Sequence, residues 1–258
     1  MVPTAPVNGI ALYYEVHGEG LPVVFAHGIG GNHASWYHQV PAFRERYTVV
    51  TFDHRAFGNS HDDPAGDGRS RFVDDLEGLL DHLGIEQTVL VAQSMGGGTC
   101  SGFTVRNPRR VRALVLADTL VGLEEPPEIK VVMDGVRKAT SKLSQLERVL
   151  GPKFRSREPA GTQLYASIAS FNAASRLNLA GQLPTRPSAE DLAATGVPIL
   201  FLVGEDDVLM PAAQVAAFQR LVPGSKLVVV PDAGHSVYFE APDAFNEAVL
   251  GFLAEVGV

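Results

Sequence analysis

Residues 88 to 98 read Thr-Val-Leu-Val-Ala-Gln-Ser-Met-Gly-Gly-Gly. A continuous apolar run of this kind fits a strand buried on both faces, and it ends at Ser94, where small residues open a helix. A serine hydroxyl on so sharp a strand-to-helix turn is a candidate nucleophile. The turn strains its backbone and demands small neighbours two places away, here Ala92 and Gly96. The helix N-terminus also aims free N–H groups and a positive dipole end at the serine oxygen. Alone, the segment fits a serine that merely caps a helix just as well. A nucleophilic serine needs a base, and His235, in Pro231-Asp232-Ala233-Gly234-His235, titrates in the right range to take a proton and return it. A carboxylate on the far ring nitrogen would hold the imidazole in the working tautomer. Asp206, Asp207 and Asp118 each follow an apolar run and are the candidates.

The elements that must position these groups alternate. Short β-branched runs at Ile10–Val16, Val23–Ala26, Tyr47–Phe52, Thr88–Ala92, Ala113–Ala117, Ile199–Val203 and Lys226–Val230 predict strands. Phe72, Leu76, Leu79, Leu80 and Leu83 form one helical stripe closed by Gly84. Further helices are expected after Pro211 and from Pro242. Strand–helix alternation implies a parallel sheet with helices on both faces, and such sheets place their sites at the strands' carboxyl ends. Ser94, Asp207 and His235 would then share one edge. The first two strands lie too close for a crossover helix, so they are expected to pair antiparallel. From Val121 to Gly196 no strand is predicted. Helical stretches at Ile129–Leu150 and Thr162–Leu183 make this interval a helical insertion.

Composition narrows the classes. The chain has 258 residues, 45% hydrophobic, with 21 basic against 29 acidic side chains and a formal charge of −8. That balance argues against a nucleic-acid partner. One cysteine, Cys100, excludes an internal disulfide framework or a cysteine-rich zinc module, and its place two turns into a helix predicts a packing role. No apolar run approaches a membrane span, and Met1-Val2-Pro3-Thr4-Ala5-Pro6 lacks a signal peptide's regions. A cytoplasmic protein is expected, with a small-molecule substrate and no nucleic-acid or membrane partner, as either monomer or homodimer. Gly28-Ile29-Gly30-Gly31-Asn32-His33 fails the dinucleotide fingerprint, no Gly-Lys-Ser/Thr phosphate loop occurs, and His33, His38, His54 and His61 lack metal spacing. No cofactor and no metal are expected. Arg106, Arg109, Arg110 and Arg112 read as a solvated turn.

The ordered motifs resemble those of the α/β-hydrolase family. Its Gly-x-Ser-x-Gly elbow is matched by Ala92-Gln93-Ser94-Met95-Gly96, and its His-Gly pair by His27-Gly28. Its Asp-x-Arg-Gly-x-Gly-x-Ser loop is matched by Asp53-His54-Arg55-Ala56-Phe57-Gly58-Asn59-Ser60. Gly204-Glu205-Asp206-Asp207-Val208-Leu209-Met210-Pro211 is similar to the acid turn, and Gly234-His235 to the histidine loop. The resemblance implies a mostly parallel sheet flanked by helices and carrying an inserted helical cap. It divides the chain into core 1–120, cap 121–196 and core 197–258. It implies Ser94 as nucleophile, Asp207 as acid ahead of Asp206 and Asp118, His235 as base, and His27 as a structural holder. The oxyanion donors are assigned to the backbone N–H groups of Ile29 and Met95, with Gly30 as substitute for Ile29. Ala92 and Ala56 replace family glycines, changes expected to affect local packing only. Ile29, Trp36, Met95, Leu209, Val237 and Tyr238 are expected to line an apolar pocket, and no basic residue sits beside the motifs. The expected activity is therefore hydrolysis of a small-to-medium apolar carboxylic ester or lactone through an acyl-enzyme. Perhydrolase or haloperoxidase-like, C–C hydrolase or lyase chemistry on the same triad, or ligand sensing, stand as alternatives.

Overall fold

In a computed structural model, which describes residues 3–63 and 65–258, the apolar runs form one eight-stranded sheet. The Met1-Val2 start lies outside the described residues. The strands are β1 (Thr4–Val7), β2 (Ile10–His17), β3 (Leu21–Ala26), β4 (Tyr47–Phe52), β5 (Thr88–Gln93), β6 (Val111–Ala117), β7 (Ile199–Gly204) and β8 (Lys226–Val230). Their order is β1-β2-β4-β3-β5-β6-β7-β8, parallel from β4 to β8, with β1 and β2 antiparallel. The chain steps from β3 to β4 on one side, then returns past β3 to β5 on the other. A crevice forms where strand order reverses in this way, and here it opens at the carboxyl ends of β3 and β5.

Alternation along each strand sorts the core into two layers. Val24, Ala26, Leu90, Ala92, Leu114 and Leu116 face α2 (Phe72–His82), α3 (Gly96–Arg106) and α9 (Ala212–Gln219). Val23, Phe25, Val89, Val91, Val115 and Leu202 face α1 (Gln39–Phe43) and α11 (Pro242–Glu255). The predicted α2 stripe of Phe72, Leu76, Leu79 and Leu80 is buried.

Three expectations are corrected. β2 does run antiparallel, but to β1 and β4 and not to β3. The link from β2 to β3 passes the entry of β4, where Thr48 Oγ1 donates to Gly20 O at 2.9 Å, so β4 lies between them. β1 escaped prediction because Pro3 and Pro6 argue against a strand; at a sheet edge proline is tolerated. Its signal was Asn8-Gly9, a two-residue hairpin turn with φ of 42° and 83°. The helical stretches are also shorter than expected.

Between β6 and β7 the described residues hold α4 (Pro127–Thr140), α5 (Gln145–Val149), α6 (Pro152–Arg157), α7 (Pro159–Ala169) and α8 (Ala189–Ala194), and no strand. The stretch expected over Ile129–Leu150 breaks after Thr140 because Ser144 and Glu147 form a capping box that starts α5 afresh. That expected over Thr162–Leu183 ends at Ala169. Beyond it, Asn178 accepts from Ser175 N (2.6 Å) and donates to Ala173 O (3.1 Å), so local side-chain bonds replace the helical ladder.

Candidate active site

Ser94 follows β5 with φ of +48°, a left-handed conformation that costs a non-glycine residue of order 1–2 kcal/mol. Bonds on every side hold it there. Its N–H donates to Ala117 O at 3.0 Å, and its carbonyl accepts from Thr119 Oγ1 at 2.7 Å and Gly97 N at 2.9 Å. Close approach explains two of the neighbouring glycines. A Cβ on Gly96 would lie 2.3 Å from Ala26 O, and one on Gly28 would lie 2.0 Å from Gln93 Oε1. Gln93 went unremarked in the sequence, yet its Nε2 donates to His235 O at 2.7 Å and pins the histidine loop to the serine turn.

The structure brings Ser94, His235 and Asp207 into one hydrogen-bonded line. Ser94 Oγ lies 2.8 Å from His235 Nε2, and His235 Nδ1 lies 2.8 Å from Asp207 Oδ2. Asp207 Oδ1 accepts from Leu209 N at 2.8 Å and Met210 N at 3.0 Å, which leaves Oδ2 for the imidazole. All three residues are buried. The carboxylate therefore receives Nδ1–H, and Nε2 is left as the acceptor facing the hydroxyl.

The other candidate carboxylates lie elsewhere. Asp206 pairs with Lys153 at 3.0 Å and is partly exposed. Asp118, with φ of +51°, accepts from Gly204 N at 3.0 Å and Val237 N at 3.1 Å. Burial and the charge of Asp207 push its carboxyl well above the usual range, and it bolts β6 to the loops that bear Asp207 and His235. Glu240, part of the histidine-loop motif but given no role from sequence, accepts from Gly151 N (2.9 Å), Gly234 N (2.9 Å) and Ser236 N (3.1 Å), so it ties the segment between β6 and β7 to the histidine loop.

The loop after β3 approaches Ser94 from the other side. The amides of Ile29, Gly30 and Met95 find no acceptor among the described residues, whereas Gly31 N donates to Gly28 O at 3.0 Å. His27 lies beneath this loop. Its Nδ1 donates to Gly28 O at 2.8 Å, and its Nε2 accepts from His54 N at 2.9 Å. Asn172 Nδ2 donates to Gly31 O at 3.1 Å and holds the loop from above.

Because one His27 nitrogen must accept, the ring must be neutral, and burial pushes its pKa down to about 4. Burial and neighbouring His27 likewise push His54 well below its ordinary value. In the unfolded chain histidine binds a proton near pH 6.5, so the unfolded state gains protons first on acidification and folding weakens. For His27 the loss between pH 6.5 and about 4 is roughly 3 kcal/mol, at about 1.4 kcal/mol per unit. His33 does not alter this window: burial disfavours its charge, but Asp53, bonded at 2.8 Å, outweighs burial and raises its pKa. Its contribution is complete below its unfolded value and is lost as pH rises through the folded one. The buried carboxyls of Asp118, Glu240 and Asp75, raised above their ordinary values chiefly by burial, bind protons first in the folded state and oppose this loss over the same window. The His27 contribution is therefore read as a difference: the urea midpoint of His27→Gln should fall less from pH 6.5 to 4 than that of wild type. An equal change in the two proteins over that window would contradict a neutral His27.

A cavity of about 320 Å³ opens on Ser94 and His235, small for a ligand site. Ile29, Met95 and Leu209 line it, as expected. Trp36, Val237 and Tyr238 do not. Trp36 stacks on Tyr238 at 4.4 Å, and all three are buried in the core layer with Phe245, because α10 (Val237–Glu240) turns Val237 and Tyr238 inward and the short helical turn His33–Trp36 does the same for Trp36. Met133, Val149 and Tyr165, from the helices between β6 and β7, also line the cavity. The sequence offers no basic residue beside the motifs, but the fold brings basic residues to the cavity from elsewhere in the chain. Arg69, Arg137, Arg148 and Arg176 all line the cavity, and no acidic side chain does. None adjoins a motif in sequence, so only the fold reveals them. Ala56 also needs correction. It sits at φ of +69°, so replacing the family glycine there strains the backbone as well as altering packing.

The family described as alpha/beta hydrolase fold matches residues 22–242. The structure is similar to a thermophilic esterase from Thermogutta terrifontis in a malate-bound form, with a TM-score of 0.81, 28% identity and 99% of each chain covered. It is similar to Est816, an N-acyl homoserine lactone degrading enzyme, with a TM-score of 0.80, 27% identity, 97% of this chain and 100% of that chain. It also resembles a bromoperoxidase from Bacillus anthracis, with a TM-score of 0.79, 26% identity, 98% of this chain and 99% of that one.

Proposed function

The chain belongs to the alpha/beta hydrolase fold family, and from that premise we propose that it is a serine hydrolase cleaving a small-to-medium carboxylic ester or lactone. The observation that carries this reading is the line Ser94 Oγ–His235 Nε2–Asp207 Oδ2, with both separations 2.8 Å, facing a cavity. The similarity to an esterase and to an N-acyl homoserine lactone degrading enzyme supports the bond type.

In this reading His235 Nε2 takes the Ser94 proton as Oγ attacks the ester carbonyl carbon. The oxygen that becomes negative is held by the N–H groups of Ile29 and Met95, each worth roughly 3–4 kcal/mol. Collapse of this intermediate expels the alkoxide, which takes the proton from His235, and leaves the acyl group on Ser94. Water then attacks the acyl carbon, gives its proton to His235, and the acid departs as Ser94 recovers its proton. Asp207 stabilises the imidazolium in both halves. Residues 121–196 act as a cap that shapes the acyl or alcohol side, and the enzyme works in the cytoplasm.

A fluorophosphonate probe tests the reading directly. It is expected to label the protein at one site, with the adduct on the peptide carrying Ser94, and to abolish release of acid from short-chain ester and lactone panels. Labelling elsewhere, or full activity after labelling, would overturn it.

A further inference from the structure

Four arginines around one small cavity, in a chain of net charge −8, call for a physical reason. Among the described residues eight of the twelve arginines outside the cavity have no carboxylate partner, and all of these but Arg155 are exposed. The other four find carboxylates: Arg55 binds Asp75, Arg71 binds Asp67, Arg106 binds Asp74 and Glu77, and Arg110 binds Asp81. Within the cavity only Arg137 does so, with Glu125 and Asp134. Among the described residues, Arg69, Arg148 and Arg176 have no carboxylate within salt-bridge distance, although all three line the cavity.

Each is also under-bonded. Arg148 Nη1 donates to Thr140 O at 2.8 Å and Thr140 Oγ1 at 3.3 Å, leaving the rest of its fork unused. Arg176 makes one long contact, Nη2 to Ser141 O at 3.4 Å. The Nε of Arg69 is buried with no acceptor. Burial and the nearby charge of Arg176 both work against the charge on Arg148, and burial with Arg186 does the same to Arg69. Arg176 is exposed, but Arg69 and Arg148 are half-buried, and folding alone gains nothing from placing them so, since unpaired cations in a partly dry site cost free energy. A guanidinium fork is shaped to take an oxyanion through paired N–H bonds. The cations come from the segment before α2 (Arg69), α5 (Arg148) and the loop after α7 (Arg176), so a ligand that joins them also joins the core to the inserted segment.

We propose that the substrate is an ester or lactone carrying a second, oxyanionic group, such as a carboxylate, and that Arg148, Arg176 and Arg69 bind that group while Ser94 attacks the ester carbonyl. The proposal rests on the serine-hydrolase reading above and replaces the apolar substrate expected from sequence with an anionic one. The apolar side chains Met133, Val149 and Leu209 then hold the carbon chain between the two polar ends.

Matched substrates test it. Monoethyl glutarate is compared with ethyl butyrate for an anion on the acyl side. The butyryl ester of 3-hydroxypropanoate is compared with propyl butyrate for an anion on the alcohol side. In one of the two pairs wild type is expected to prefer the anionic member in kcat/KM by about 10- to 100-fold, the range of a charge-assisted contact. Arg148→Gln and Arg176→Gln should each shrink that ratio, chiefly through KM, and 0.5 M salt should shrink it in wild type. Binding is read apart from turnover by calorimetry, with glutarate titrated into Ser94→Ala; it should bind there and bind more weakly when Arg148→Gln is added. Cleavage of the neutral esters with no anionic preference in either pair, and no glutarate binding, overturns the anion site while leaving the hydrolase reading intact. Glutarate binding without cleavage of any ester supports the anion site and overturns the hydrolase reading.

Discussion

Ser94→Ala is expected to lower kcat on any cleaved ester by about 10⁴- to 10⁶-fold, because residues that act as one proton-transfer unit lose nearly everything when one is removed. Alanine keeps the backbone bonds of Ser94 to Ala117, Thr119 and Gly97, so the turn at φ of +48° persists and the fold is retained. What disappears is the hydroxyl 2.8 Å from His235 Nε2. The residual rate over water would come from the amides of Ile29 and Met95 and from substrate positioning. Single-turnover kinetics check this: the burst of released alcohol should vanish, with the thermal midpoint close to wild type. Turnover within tenfold of wild type would remove Ser94 as nucleophile.

Asp207→Asn carries the second largest effect, about 10⁴-fold in kcat near neutral pH. The geometry supplies the reason. Oδ1 of Asp207 accepts two backbone amides, so asparagine would place its own oxygen there and turn its NH₂ toward His235 Nδ1. That nitrogen would then have to accept, moving the ring proton to Nε2, where it points at Ser94 Oγ and cannot receive a proton. Asp206→Asn is the control, and it should cost only a few-fold. Asp206 faces Lys153 at 3.0 Å and makes no contact with His235. A large loss confined to Asp206→Asn would show that the acid is misassigned.

Much of the site was legible because its chemistry is local. A strained serine between small residues, a histidine loop and an acid turn each follow their own strand, and a parallel sheet necessarily gathers strand ends at one edge. Even so, the choice among Asp118, Asp206 and Asp207 depends on where the carboxylates point. Adjacent side chains leave the backbone in different directions, so Asp207 reaches the imidazole while Asp206 reaches Lys153. The elements were legible on the same terms: Tyr47–Phe52 and Lys226–Val230 match the observed strands residue for residue, since continuous β-branched runs have one stable use in this architecture. Pro6 hid β1, because whether a proline costs a ladder bond depends on which neighbour the strand has.

The character of the cavity shows the boundary most clearly. Trp36, Val237 and Tyr238 lie near the motifs in sequence but point into the core. Arg69, Arg148 and Arg176 are separated from the motifs and from one another, yet meet at one opening. Sequence alone determined the strand–helix alternation and the small-residue turn at Ser94, since both follow from backbone sterics and hydrophobic periodicity over a few neighbouring residues, while the acid turn and the histidine loop were legible through resemblance to the family. Which side chains surround the substrate, and with what charge, was decided only by tertiary packing, because electrostatic fields depend on distance through space and not along the chain.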